Sequence, residues 1–428
     1  MTIDTAYNIA GTVEPGFEEV RDAFVANFVN GKELGASFAA YYQGRKVVDL
    51  VGGWADAAKT KPYTHDSIQV VHSSGKAIIA MSIGHAVSEG KLDYQQRIAD
   101  VWPEFAEGGK EQVLLKDLLE HSGGVGWLDQ ERCPTIADLT NLDELAKKIA
   151  GQPHNFGGAV VKSYHAITRG WFLNELLRRT LHTTQGDLVK DWSAKLGVHA
   201  FVGLPESADP QFCPIVFSPE AAMGFGAIAS LPHDLPMYKS FAQTRVQGAY
   251  ELAGPGGSPS NVIEVLRGQT PSAYTVTNGA GLAAFANVMA VGGSVDGLKI
   301  MDSATHKAAH VLDDRTIDVP DACLGYLVRA TEGGWAENIL GTKIPNVKVD
   351  WTTVPPTTII PDEYRGDDWQ WCGWDGLGGS LIQWERKRQC AVGYAPTMLG
   401  IGGGRNDDRA ASCTLAFVNA VTALEKEK

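Results

Sequence analysis

Apolar residues recur at helical spacing through FEEVRDAFVANFVNG (residues 17–31), and a glycine closes the run, predicting a helix. Two shorter runs follow, ASFAAYYQG and RKVVDLVGGWAD, rich in β-formers and punctuated by Gln43-Gly44; they predict an antiparallel hairpin. From Lys76 to Val87 (KAIIAMSIGHAV) the chain is almost continuously apolar, the character of a helix buried on every side. Residues 90–320 alternate helix-like segments, such as LDELAKKIA and TRGWFLNELLRRT, with Gly/Pro-rich loops. Strand signals return in CLGYLVRA, SLIQWER and QCAVGYAP, and RAASCTLAFVNAVTALEKEK ends the chain as a helix. The stretch 248–262 (GAYELAGPGGSPSNV) reads as a flexible surface excursion.

Strands thus lie at both ends of the chain around a helical body. The economical arrangement is an α/β (α+β) fold: one antiparallel sheet built from both termini, flanked by helices, with an inserted all-helical part. This reading assigns residues 1–88 together with 320–428 to the sheet domain and 89–319 to a mainly helical domain. The active site is expected in the cleft between them.

Composition narrows the class. Apolar residues make up 44% of the 428 and charged ones 20%, which suits a globular protein. A formal net charge of −13 disfavours nucleic acid and anionic membrane as partners. No stretch approaches the roughly 18 consecutive apolar residues of a membrane span. The first twenty residues have neither a basic n-region nor an apolar h-region, so no secretory signal and a cytoplasmic location are expected. The six cysteines form no CxxC pair and read as buried free thiols; a Cys372–Cys390 disulfide between neighbouring strands is the alternative.

The candidate chemistry begins at Ser73-Ser74-Gly75-Lys76. When the serine of S-x-x-K opens a helix, one turn places the lysine amine beside its hydroxyl. A buried amine near another cation loses proton affinity and can accept the serine proton. The motif alone is weak, because Ser88-Glu89-Gly90-Lys91 repeats it. Ser88, however, ends the apolar helix, where the dipole has the wrong sign for an anion, whereas Ser73 begins it. By position alone Ser73 reads equally as an N-cap. The competing G-x-S-x-G elbow is absent.

From Ser73 onward the order of motifs resembles the superfamily of class C β-lactamases, penicillin-binding proteins and family VIII carboxylesterases. HSSGKAIIAMSIGHAVSEGKLDYQQRIADVWPEF is similar to the nucleophile helix, and LLKDLLEHSGGVGWLD to the L-L-x-H-x-(S/A)-G loop. Tyr164-His165-Ala166 stands at the tyrosine element, and Trp374-Asp375-Gly376-Leu377-Gly378-Gly379-Ser380 where the family carries K/H-T-G. NGAGLAAFANVMAVGGSVDGLKIMDSAT also resembles a stretch of the family's helical domain. The resemblance spans about residues 17–425. It implies Ser73 as nucleophile, Lys76 and Tyr164 as shared general base with Lys76 lowering the phenol's pKa, and the Ser73 and Leu377 amides as oxyanion hole. Each such donor is typically worth about 2.7–4 kcal/mol.

The sequence departs from that pattern at the third motif. Trp374 replaces the basic residue and Asp375 the threonine, so the site beside Gly376 would repel a carboxylate. Neutral, rather hydrophobic esters or amides therefore fit better than β-lactams, with Trp374, Asp375, Gly376, His165 and Trp127 as candidate substrate contacts. No metal or organic cofactor is expected: His306 and His310 have helical i, i+4 spacing but no third ligand, and Gly400–Arg405 lacks the lysine of a phosphate loop. The expected activity is a serine esterase or amidase acting on a small-molecule ester or amide. Acyl transfer, β-lactamase or D,D-peptidase activity, and a non-catalytic scaffold are the alternatives; oligomeric state is not encoded in any motif.

Overall fold

Both ends of the chain feed one sheet. The computed structural model describes residues 2–223, 230–313, 315, 317, 330–337, 369–400 and 407–427. The N-terminal part supplies β1 (Thr2–Asp4), β2 (Ile9–Val13), β3 (Gly35–Tyr42) and β4 (Arg45–Gly53), with helix α1 (Glu18–Val29) between β2 and β3. The C-terminal part supplies β5 (Ala336–Glu337), β6 (Trp371–Asp375), β7 (Leu381–Glu385) and β8 (Cys390–Pro396). Their order is β1-β2-β4-β3-β8-β7-β6-β5, and every neighbouring pair is antiparallel. The two halves join where β3 pairs with β8, Phe38 opposite Tyr394.

Four more helices matter for the site: α2 (Gly75–Ser88), α3 (Thr168–Leu181), α4 (Gly279–Ala290) and α5 (Asp408–Lys426). On one face of the sheet α1 packs against α5, with the Phe17 and Phe417 rings stacked at 5.7 Å. The opposite face is covered by α4, which comes from the middle of the chain and lies against β3, β7 and β8. Close approach makes that packing possible: a Cβ on Gly393 of β8 would sit 2.4 Å from the Ala283 nitrogen. The Gly279 amide completes the contact by donating to Ser37 Oγ at 2.8 Å.

Helix α2 is buried along nearly its whole length and packs against α3, which accounts for its unbroken apolar sequence. Between α2 and α4 the described chain is mostly helices and loops; from it Ala200–Phe201 and Val276–Thr277 join Gln69–Val70, which precedes α2, in a small three-stranded sheet.

Several expectations change here. The predicted strand CLGYLVRA lies outside the described residues except for Ala330. Cys372 and Cys390 are not on neighbouring strands, because β7 runs between β6 and β8; no disulfide joins them, and both are buried. Residues 248–262 are not a loose excursion. Ala249–Ala253 is helical, and Asn261 is anchored by accepting from the Ile215 amide (2.9 Å) and donating to the Ile215 carbonyl (2.8 Å). Among the described residues no helix is long and apolar enough to cross a membrane.

Candidate active site

The strand Gln69–Val70 leads into a single 3₁₀ turn, His72–Ser74, and directly into α2. His72 is left-handed (φ +44°), so the chain bends sharply just before Ser73 and presents it at the start of the helix. The turn is stitched to the sheet: Ser74 Oγ lies 2.9 Å from Ser380 Oγ, which donates to the Val71 carbonyl at 2.7 Å. Ser88, the other S-x-x-K serine, is structural; its Oγ accepts from the Asp302 amide at 2.9 Å.

Lys76 is fully buried, and its Nζ lies 3.1 Å from Ser73 Oγ. The same nitrogen donates to the carbonyls of Ala166 (2.6 Å) and Ser272 (2.9 Å). Burial holds the lysine's pKa well below its ordinary value, and the Arg169 charge lowers it further. As a neutral amine, Lys76 would spend its two N–H groups on the carbonyls and turn its lone pair towards the Ser73 hydroxyl. That geometry suits a general base.

Tyr164 donates its phenol proton to Ser73 Oγ at 2.8 Å. Its pKa is not lowered: burial pushes it up to about 12 against the opposing hydrogen bonds of Ser73 and Trp374. The phenolate expected from a nearby Lys76 cation is therefore disfavoured, and at neutral pH Tyr164 is a phenol that can donate. Its backbone is pinned by Ser240, whose Oγ donates to the Tyr164 carbonyl and accepts from the Ala166 amide at 3.1 Å.

Behind Tyr164 sits a buried layer. The Trp374 ring stacks parallel to the phenol at 6.3 Å, and its indole side chain opposes the rise in the phenol's pKa. The buried Arg169 guanidinium lies 5.6 Å over the Trp374 ring and donates to the Gly334 carbonyl at 3.0 Å. His121 fills the remaining gap, 4.8 Å from the Tyr164 ring and 5.3 Å from Trp374.

The turn after β6 carries Leu377. The Gly376 amide donates to the Ser380 carbonyl (2.8 Å) and the Gly379 amide to the Gly376 carbonyl (3.2 Å). Gly376 cannot carry a side chain, since a Cβ would meet Ser380 Oγ at 2.1 Å and the Val71 carbonyl at 2.3 Å. Arg409, in the first turn of α5, supports the turn by donating to the Gly378 carbonyl at 2.9 Å.

Ser73 and Leu377 open onto a cavity of about 460 Å³. Its walls are largely apolar, with Ile167, Phe217, Phe241 and Tyr274 prominent, and the segment Tyr250–Ser260 closes one side. Three expected substrate contacts do not reach it. Trp374 is only 2% exposed and faces the back of Tyr164. His165 is fully buried, bonding the Ser163 carbonyl through Nδ1 (2.6 Å) and accepting from the Val125 amide at Nε2 (3.3 Å). Trp127 packs edge-on to Phe156 under Lys239. Asp375 and Gly376 also lie off the wall, Asp375 where its charge acts on the Tyr164 phenol. His72 also lines the cavity, with Nε2 3.2 Å from Ser260 Oγ.

The two histidines with metal-ligand spacing are engaged elsewhere. His310 accepts from the Trp384 indole (2.9 Å) and bonds the His306 carbonyl (2.7 Å), and His306 bonds the Met289 carbonyl (2.8 Å). Among the described residues no group of three or more potential ligands could hold a metal ion. Most of Gly400–Arg405 lies outside the described residues.

The family model for beta-lactamases matches residues 21–411. This chain belongs to the beta-lactamase family. It is a class C β-lactamase/penicillin-binding-protein-like serine hydrolase with esterase relatives. The Esterase/beta-lactamase LipL of Mycobacterium tuberculosis is 28% identical over 343 residues, covering 76% of this chain and 75% of that protein. A novel penicillin-binding protein homolog from Caulobacter crescentus superposes with a TM-score of 0.72 at 26% identity, over 96% of this chain and 99% of the other. A family VIII carboxylesterase does so with a TM-score of 0.71 at 27% identity, again over 96% and 99%.

In this beta-lactamase-family chain, sequence reasoning missed Arg169, Ser240 and the cavity wall at Arg245–Tyr250. Only Arg169 left a signal: it is a cation in the first turn of a buried helix, where the dipole opposes it. Ser240 and the wall come from irregular segments whose placement no periodicity encodes.

Proposed function

We propose that this enzyme is a serine esterase or amidase that cleaves an ester or amide with an apolar arm through an acyl-Ser73 intermediate. One observation carries the reading: Lys76 Nζ and Tyr164 Oη converge on Ser73 Oγ, at 3.1 and 2.8 Å, beside an apolar cavity.

In the first step Ser73 Oγ attacks the substrate carbonyl and its proton passes to neutral Lys76. The Ser73 and Leu377 amides stabilise the oxyanion. As the C–O or C–N bond breaks, Lys76 returns the proton to the leaving group through the Tyr164 hydroxyl, which donates one proton and accepts another. A water then attacks the acyl-enzyme by the same route in reverse order, releasing the acid and restoring Ser73. No step requires a metal or organic cofactor, and Trp374 serves by holding Tyr164.

The test is mass spectrometry after treatment with a fluorophosphonate. A stable adduct on Ser73 that Ser73→Ala lacks is the expected result; labelling at Ser88, or of no residue in folded protein, would sink the proposal. The name of the relative LipL motivates a second reading, β-lactam hydrolysis. Trp374 and Asp375, in place of a basic residue and a hydroxyl, speak against it, and nitrocefin turnover measured beside short-chain p-nitrophenyl esters separates the two.

A further inference from the structure

Among the described residues that line the cavity, Arg245 is the one charged side chain, and its surroundings suggest a use for it. Arg245 is exposed and holds its guanidinium 4.7 Å from the Tyr250 ring, itself an exposed part of the wall. Arg178, Arg179 and Arg267 each hold carboxylates, but among the described residues none lies within 4.0 Å of Arg245. The segment is fixed on both sides. Thr244 Oγ1 accepts from the Leu128 amide at 3.0 Å, Val246 is buried, and Gln247 bonds the Pro134 and Cys133 carbonyls at 2.8 and 2.7 Å. The guanidinium is thus mounted on rigid backbone and backed by an aromatic face, which leaves its fork of donors available to a ligand.

We propose that Arg245 recognises a carboxylate at the far end of the substrate's apolar arm. The inference rests on the acyl-Ser73 reading and narrows its substrate class to mono-anionic esters or amides whose charge is remote from the scissile bond. Near Ser73 no basic residue of the K-T-G type stands on the wall, and the Asp375 charge acts through Tyr164 from off the wall, which disfavours a carboxylate there. At Arg245 the preference reverses. A guanidinium pairs with a carboxylate through two parallel charge-assisted hydrogen bonds, whereas a neutral arm would leave it with water alone. The setting sharpens the effect, because a protein of net charge −13 otherwise repels anions.

The experiment measures binding apart from chemistry. Titration calorimetry on Ser73→Ala would compare 4-phenylbutyrate with 4-phenylbutyramide, at low and high salt, in Arg245, Arg245→Lys and Arg245→Gln backgrounds. The carboxylate is expected to bind about tenfold more tightly than the amide, with the preference shrinking in salt and in the lysine variant and vanishing in the glutamine variant. Equal affinity for both ligands, or a preference that survives Arg245→Gln, would overturn the proposal. In parallel, wild type should show a higher kcat/KM for mono-p-nitrophenyl glutarate than for p-nitrophenyl valerate. If neither ester is cleaved while the calorimetric preference holds, acylation of Ser73 fails and anion recognition by Arg245 stands.

Discussion

Lys76 Nζ lies 3.1 Å from Ser73 Oγ while the Ala166 and Ser272 carbonyls accept its other two hydrogen bonds. The two carbonyls fix the amine's direction, and burial with Arg169 nearby disfavours its charge. A lysine so placed is prepared to take a proton, and the substitutions below probe each part of that arrangement.

Removing the base or the relay should be costly in different steps. Lys76→Met is expected to lower kcat for p-nitrophenyl butyrate by about 10²–10⁴-fold and to abolish the pre-steady-state burst. Tyr164→Phe should lower turnover comparably, yet leave a detectable acyl-enzyme with an activated phenyl ester, whose leaving group needs little protonation. Stopped-flow burst amplitudes distinguish the two outcomes.

Burial and the Arg169 charge together govern the pH range. Lys76 acts as a base only when neutral, so kcat/KM should rise with pH through the lysine's depressed pKa. Arg169→Met removes one of the two influences that lower it. The lysine pKa then rises, and the acidic limb of the pH–rate profile should move to higher pH. A limb that stays in place in folded Arg169→Met protein would show that burial alone governs Lys76.

Trp374→Phe keeps the stacked ring and deletes the indole N–H, whose influence lowers the Tyr164 pKa. A polar influence of this kind is worth at most about 0.5–1.5 kcal/mol, so kcat should fall no more than about tenfold. Because Trp374 faces away from the cavity, the dependence of KM on acyl-chain length should be unaltered. A changed chain-length profile would return Trp374 to the substrate pocket.

Gly376→Ala places a methyl against Ser380 Oγ and the Val71 carbonyl. The turn must shift, carrying Leu377 with it. Loss of one oxyanion donor costs about 2.7–4 kcal/mol, so a fall in kcat of about 10²–10³-fold is expected in protein that still folds by circular dichroism.

The sequence was most readable where one residue's neighbours along the chain decide its surroundings. An unbroken apolar run described α2 because that helix is buried on nearly all sides. Ser73 and Ser88 were distinguishable by their positions at opposite ends of it, since the dipole is a property of the helix itself. The β3–β4 hairpin and the C-terminal helix were legible for the same local reason.

Other features depend on contacts between distant segments, and only the tertiary structure decided them. Trp374 belongs to a motif that suggested a substrate pocket, yet the register of β6 on β7 and the arrival of α3 turn its ring onto Tyr164 and under Arg169. Burial then raised the phenol's pKa where proximity to Lys76 alone suggested lowering it, because desolvation depends on everything packed around a group. Arg245 and Tyr250 reach the cavity from a segment without periodicity, anchored by Asn261 and Gln247. The chain's order of motifs marked Ser73 and its helix as the candidate site; what surrounds the Ser73 hydroxyl, and which charge lines the cavity, was settled by packing.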